Sequence, residues 1–165
     1  MNMNLATQTP LAPAPRLPQE LVESTTFLLK RLGFAAKDRT LAAYEETGLH
    51  PYHHAVLLVL DEGAPETQGS IADTLGYDRG QLVGLLDELE ERELVERKRD
   101  PNDRRRHVVR LTPAGKKMLR RLRTLSGQIE DDFLAPLDER EREALHGLLL
   151  RLAETHEPRC APLKP

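Results

Sequence analysis

Between Leu82 and Leu111 the hydrophobic pattern changes period, and that change constrains the fold more than any other feature of the chain. Leu82, Leu85, Leu86 and Leu89 recur at i, i+3, i+4 and i+7, the spacing that lays one apolar stripe along an α-helix. Beyond Arg92 the spacing stops. Leu94 to Arg99 and Arg106 to Thr112 read as two short strands, with the turn formers Asp100, Pro101, Asn102 and Asp103 between them.

A second, shorter helix precedes the leucine stripe. Ile71, Ala72 and Leu75 give an apolar face to a helix over residues 67–75, Gly76 permits a tight turn, and Asp78 is placed to cap the helix that follows. Two such helices joined at Gly76 and Tyr77 form a helix-turn-helix, whose second member can enter the major groove of DNA. Taken alone the pair is equally a plain helical hairpin. A basic hairpin directly after it is the wing of a winged helix.

Outside this segment the pattern is helical. Residues 18–46 contain no internal proline, and Leu21, Phe27, Leu28, Leu32, Ala35, Leu41 and Ala42 fall at roughly helical spacing, so one long helix closed by Gly48 is expected. Pro51 suits the first turn of a helix running through Val56, Leu57, Val59 and Leu60 to Gly63. Thr112 before Pro113 marks a helix start, with Met118, Leu119, Leu122, Leu125 and Ile129 carrying it to Phe133, and Asp138 can cap a last helix bearing Leu145, Leu148, Leu149 and Leu152. An aromatic share of 4% with no Trp fits helices packed through Leu, Val and Ala. The expected class is mostly α: a winged helix-turn-helix with a short β-hairpin wing, flanked by long N- and C-terminal helices. Residues 1–17, with Pro10, Pro13 and Pro15, read as a disordered arm, and residues 157–165 as a tail.

Charge is distributed unevenly. The formal net charge is -3, yet Arg92 to Arg123 holds thirteen Lys and Arg against four Asp and Glu. Such local concentration is the footprint of a phosphate-binding surface, although a solvated helix face would also show it. The one cysteine, Cys160, cannot form an internal disulfide, and no long apolar run suggests a signal peptide or a membrane span, so a cytoplasmic protein is expected. No nucleophile elbow, phosphate-binding glycine loop or dinucleotide fingerprint occurs, which leaves no basis for an enzyme or a bound cofactor.

The run from Asp100 to Gly115 resembles the MarR family of transcriptional regulators, whose wing carries Asp-x-Arg and then an apolar strand ending in Leu-Thr-x-x-Gly. Asp103, Arg105, Leu111, Thr112 and Gly115 match, and Leu89, Leu94, Val95 and Arg97 resemble the family's link from recognition helix to wing. The resemblance implies a DNA-binding lobe over residues 49–112 and dimerisation helices over 18–48 and 113–156. It also implies a homodimer on a pseudo-palindromic operator in double-stranded DNA, acting as a repressor released by a small effector.

Site residues follow from the same placement. Asp78, Arg79, Gly80, Gln81, Val83 and Gly84 would lie on the exposed part of the recognition helix, and Asp103, Arg104, Arg105 and Arg106 on the wing, whose guanidinium groups suit a narrow minor groove. Two glycines offer no side-chain hydrogen bond, so base readout is expected from Arg79 and Gln81. Two departures from the family stand out. The start of the recognition helix lacks the common Ser or Thr, and Glu93 stands where many relatives have glycine. Many relatives bind a phenolic or aromatic-acid effector between dimerisation helices and DNA-binding lobe; Tyr44, Tyr52, His53 and His54 are the candidates here, or they simply pack. His50, His53 and His54 near Glu45 and Glu46 raise metal sensing as an alternative, without a distinctive ligand spacing. A winged-helix interaction module that does not bind DNA is the remaining alternative.

Overall fold

The computed structural model describes residues 16–62, 66–100 and 107–160. Most of the N-terminal arm, the end of the tail, and the wing positions Asp103, Arg104, Arg105 and Arg106 lie outside the described residues. The chain falls into two compact units that part between Ala35 and Ala36.

The first unit holds α1 (Gln19–Val22) and the beginning of α2 (Thr25–Glu45). The single helix expected over residues 18–46 is interrupted at Ser24. Its hydroxyl accepts from the Phe27 N–H at 3.4 Å and shares a hydrogen bond with the Thr26 hydroxyl at 3.1 Å. Such local bonding starts a new helix in preference to continuing an old one. Leu21, Val22, Leu28, Leu29, Leu32 and Phe34 are all exposed on this unit.

The second unit contains a hydrophobic core. After α2, α3 (Pro51–Asp61) starts with proline at its first position and buries Val56, Leu57, Val59 and Leu60. β1 (Glu66–Thr67) leads into α4 (Gln68–Leu75), where Thr67 and Ser70 form a reciprocal capping box. α4 ends at Gly76, whose φ of +65° is the left-handed geometry that glycine tolerates without strain. α5 (Arg79–Glu91) then turns its four leucines inward. β2 (Val95–Arg99) and β3 (His107–Leu111) form the hairpin, in a register running from Val95 opposite Leu111 to Arg99 opposite His107.

β1 is a third strand that the sequence pattern did not predict. It pairs antiparallel with the other edge of β3, Glu66 opposite Val109 and Thr67 opposite Val108, giving the order β1-β3-β2. The core collects Leu57, Ile71, Leu82, Leu86, Leu89, Val109, Leu119 and Leu122, each 1% exposed or less. α6 (Pro113–Phe133) contributes Leu119 and Leu122 to it, whereas α7 (Glu139–His156) buries no residue. Thr112 and Asp138 cap these helices as expected, and Pro158–Cys160 add one 3-10 turn within the expected tail.

Candidate nucleic-acid interface

α5 offers an exposed strip that starts at its capped N-terminus. Asp78 Oδ1 accepts from the backbone N–H of Gly80 at 2.8 Å and of Gln81 at 3.2 Å, so the cap aligns the first turn while Arg79 and Gln81 extend into solvent. Gly80, Val83 and Gly84 are exposed beside them. The structure therefore brings Asp78, Arg79, Gly80, Gln81, Val83 and Gly84 together on one outward surface. Gly80 leaves room for the cap, since a β-carbon there would lie 3.0 Å from Asp78 Oδ1; at Gly84 it would meet nothing.

The C-terminal half of α5 is acidic but held. Arg97 on β2 pairs with Asp87 through Nη2, lies 3.3 Å from Glu90 Oε2 through Nε, and donates its backbone N–H to Glu90 Oε1 at 3.2 Å. These contacts direct three charges at one another, whereas Arg79 and Gln81 at the other end of α5 are exposed. The paired groups lie on separate elements, and no sequence spacing signals them. On the hairpin, Arg99, His107 and Arg110 are exposed, and Lys98 pairs with Glu96 at 2.7 Å.

The joint between wing and α6 is tightly built. The Thr112 hydroxyl donates to the carbonyls of Glu93 at 2.6 Å and Leu94 at 3.2 Å while accepting from the Gly115 N–H at 2.9 Å. A β-carbon at Gly115 would lie 2.0 Å from the Leu94 carbonyl oxygen, so no other residue fits without moving the backbone. The Leu-Thr-x-x-Gly pattern thus describes a helix N-cap pressed against the end of α5. Glu93 adopts φ +57° at that end, a left-handed conformation that costs a non-glycine residue about 1–2 kcal/mol.

None of the aromatic and histidine candidates lines the cleft that opens between α2 and α6. Tyr44, His53 and His54 are buried at 3%, 3% and 7% exposure, while Tyr52 is on the surface against Tyr77 and His50. The Tyr44 hydroxyl and His54 Nδ1 share a hydrogen bond at 2.6 Å, and burial raises the pKa of Tyr44. His53 Nδ1 accepts from the His50 N–H at 2.9 Å as half of a capping box, and its Nε2 lies 3.1 Å from Glu88 Oε2. Burial lowers the pKa of both histidines below 6.5; for His53, Glu88 opposes the shift, and for His54, Arg123 adds to it. Both Nδ1 atoms are engaged, and among the described residues no group of three or more His, Cys, Asp or Glu is arranged to hold a metal ion.

A cleft of about 340 Å³ lies elsewhere, between the end of α2 and the middle of α6. Ala43, Glu46, Thr47, Arg121, Thr124, Leu125 and Gln128 line it. Of its lining, Leu125 was singled out in the sequence as a helix-face position and Glu46 beside the histidines, neither as part of a cleft, because an exposed polar wall has no periodicity of its own.

Comparison with known proteins agrees with this geometry. Residues 47–106 match the model of the MarR family. A putative transcriptional regulatory protein for the hcr operon of Thauera aromatica is 32% identical over 129 residues, 73% of this chain and 78% of that protein. The chain belongs to the MarR family. Among solved structures it is similar to the transcriptional repressor CouR bound to a 23-mer DNA duplex, at 35% identity, a TM-score of 0.74, and coverage of 84% of this chain and 99% of that one. CouR from Rhodococcus jostii RHA1 bound to p-coumaroyl-CoA is similar at 31% identity and a TM-score of 0.68, over 82% of this chain and 96% of that one. This MarR protein is a DNA-binding transcriptional regulator with a winged helix, and its family is one of regulators, not enzymes. No described helix is long and apolar enough to cross a membrane.

Proposed function

We propose that the protein is a homodimeric, cytoplasmic repressor that grips a pseudo-palindromic operator through α5 and the wing and releases it when a small aromatic acid, or its thioester, binds. The observation that carries this reading is the exposed, Asp78-capped first turn of α5 beside a basic hairpin. Arg79 and Gln81 read base edges in the major groove, while Gly80, Val83 and Gly84 let the helix approach closely. Asp103, Arg104, Arg105 and Arg106 belong to the minor-groove contact, with Asp103 orienting an arginine. Exposed leucines on α7 supply the two-fold contact that spaces two α5 helices about one helical turn of DNA apart.

The cleft between α2 and α6 is the effector site in this reading. Its volume lies at the small end of the range for ligand pockets, and Arg121 offers a guanidinium for a carboxylate. CouR, solved both on DNA and with an aromatic thioester, supports the same division of labour. Tyr44, Tyr52, His53 and His54 do not line this cleft, and they remain the second candidate for the effector contact.

Selection of bound duplexes from a random pool tests the reading, repeated with a panel of aromatic acids and their coenzyme A thioesters. Enrichment of a palindromic duplex, lost on adding one of the compounds, is the expected result. A folded protein that enriches no duplex would instead be an interaction module.

A further inference from the structure

We propose that His53 is a positioning residue for DNA reading: it joins the first turn of α3 to Glu88 on the flank of α5 and so holds the orientation of the recognition helix. The inference rests on α5 being the DNA-reading element and goes beyond it by naming what holds that element in place.

Four leucines bury one side of α5, but apolar burial is non-directional and leaves the helix free to roll by small angles over the core. Polar contacts on its flanks oppose that roll. On one side Arg97 holds Asp87 and Glu90. On the other, Glu88 meets His53 at 3.1 Å, and one turn further on Arg92 lies across Gly48, where a β-carbon would be 3.1 Å from Arg92 Nη1. Gly48 and His50 flank Leu49 in the link between α2 and α3, so Arg92 comes near the start of that link and Glu88 near the first turn of α3 just beyond it. Thr47, the residue before Gly48, lines the cleft.

The choice of histidine carries the argument. At the third position of a helix a reciprocal cap usually uses Glu or Gln, which reaches back to one backbone N–H. His53 does this with Nδ1, which accepts from the His50 N–H at 2.9 Å. Because Nδ1 accepts, the neutral ring carries its proton on Nε2, which lies 3.1 Å from Glu88 Oε2 but is not aligned with it as a hydrogen-bond donor. Gln could satisfy the cap but has no second atom placed for α5. Burial keeps the ring neutral against the pull of Glu88, with His50 and Arg92 also disfavouring its charge.

The test uses the duplex selected from the random pool, an unselected random duplex, and three full-length variants: His53→Gln, Glu88→Ala and Glu88→Gln. His53→Gln keeps the cap, and the Glu88 variants alter an exposed side chain, so all three should fold. His53→Gln and Glu88→Ala should each weaken binding to the selected duplex by about threefold to tenfold, within the span of about twofold to thirtyfold for residues that act through another. Random-duplex binding should stay the same or tighten slightly where a carboxylate is lost. The double variant should be no weaker than the weaker single, and Glu88→Gln should fall between wild type and Glu88→Ala. Nitrogen NMR of the free protein should show the Nε2–H tautomer at His53, with a shift that moves in Glu88→Ala.

An Nδ1–H tautomer overturns the proposal with no DNA present. So do unchanged selected-duplex affinities, equal losses on both duplexes, or additive losses in the double variant. A wild-type protein that does not prefer the selected duplex would defeat the reading of α5 instead, while the NMR arm would still judge the contact.

Discussion

α3 and α7 are both helices with an apolar face, yet they stand in opposite situations. α3 has 11 residues and buries six of them, His53, His54, Val56, Leu57, Val59 and Leu60. α7 has 18 and buries none, leaving Leu148, Leu149 and Leu152 at 56%, 40% and 46% exposure. The first helix is stabilised within its own chain; the second presents an apolar row with no counterpart there. α5, the hairpin and the helices packed on them share one core, and the exposed leucines of α7 form the apolar surface that the proposed dimer would cover.

The sharpest way to break that contrast is to remove one leucine from each. Leu86→Ala, at a site with no exposure, should destabilise the lobe by about 2–5 kcal/mol in urea unfolding. Leu149→Ala in dilute, monomeric protein should change it by less than about 0.5 kcal/mol. Comparable losses would mean that α7 shares the core after all. A second test asks whether the uncovered row is an interface. Replacing Leu148, Leu149 and Leu152 with Ser removes six leucines from a two-fold interface and should raise the dimer dissociation constant on the order of 10,000-fold in sedimentation equilibrium, taking about 1 kcal/mol for each leucine. Lobe unfolding should not follow.

Acid separates the two regions in another way. His53 and His54 lie in the lobe with lowered pKa values, so below pH 6.5 the unfolded chain takes up protons that the folded lobe refuses. Their effect on stability is absent above pH 6.5 and grows as pH falls from there to the lowered folded values, with a slope of at most about 1.4 kcal/mol per pH unit for each histidine. Unfolding of the leucine-to-serine variant between pH 7.5 and 5 should show this loss undiminished. A smaller loss than in wild type would place the titration at the interface.

The mildest change separates binding from folding inside the lobe. Arg105→Ala should weaken every duplex and lower the slope of log affinity against log salt by about one, as for one lost phosphate contact, with thermal unfolding unchanged. An unchanged slope in the folded variant would show that the wing does not engage DNA.

Much of this architecture was legible in the sequence because local chemistry sets it. Thr112 and Pro113, Asp138, Asp78 and Gly76 mark boundaries through bonds to neighbours within a few residues, and the structure places caps at each. β1 escaped notice because two residues show no alternation, and its pairing with β3 joins positions more than 40 apart. The break at Ser24 was hidden by apolar residues that keep helical spacing across it. Tyr44, His53 and His54 resembled a ligand site because three polar rings lie close in sequence. The fold engages the Tyr44 hydroxyl and both Nδ1 atoms and brings His53 Nε2 to 3.1 Å from Glu88, while His54 Nε2 is buried with no hydrogen-bond partner among the described residues.

Only Thr112 separates the last wing strand from α6, and its hydroxyl is fastened on both sides. Strand and helix are thus coupled without slack, like a shaft keyed to a blade. α6 runs unbroken for 21 residues, about 31 Å at the usual rise. Over that length a tilt of about 5° at the far end sweeps the near end through nearly 3 Å, about the reach of a hydrogen bond. The phase of the shaft matters as much as its length. One residue added within α6 would twist its two ends by about 100° relative to each other, whereas four would bring them back nearly into step, offset by about 6 Å along the axis.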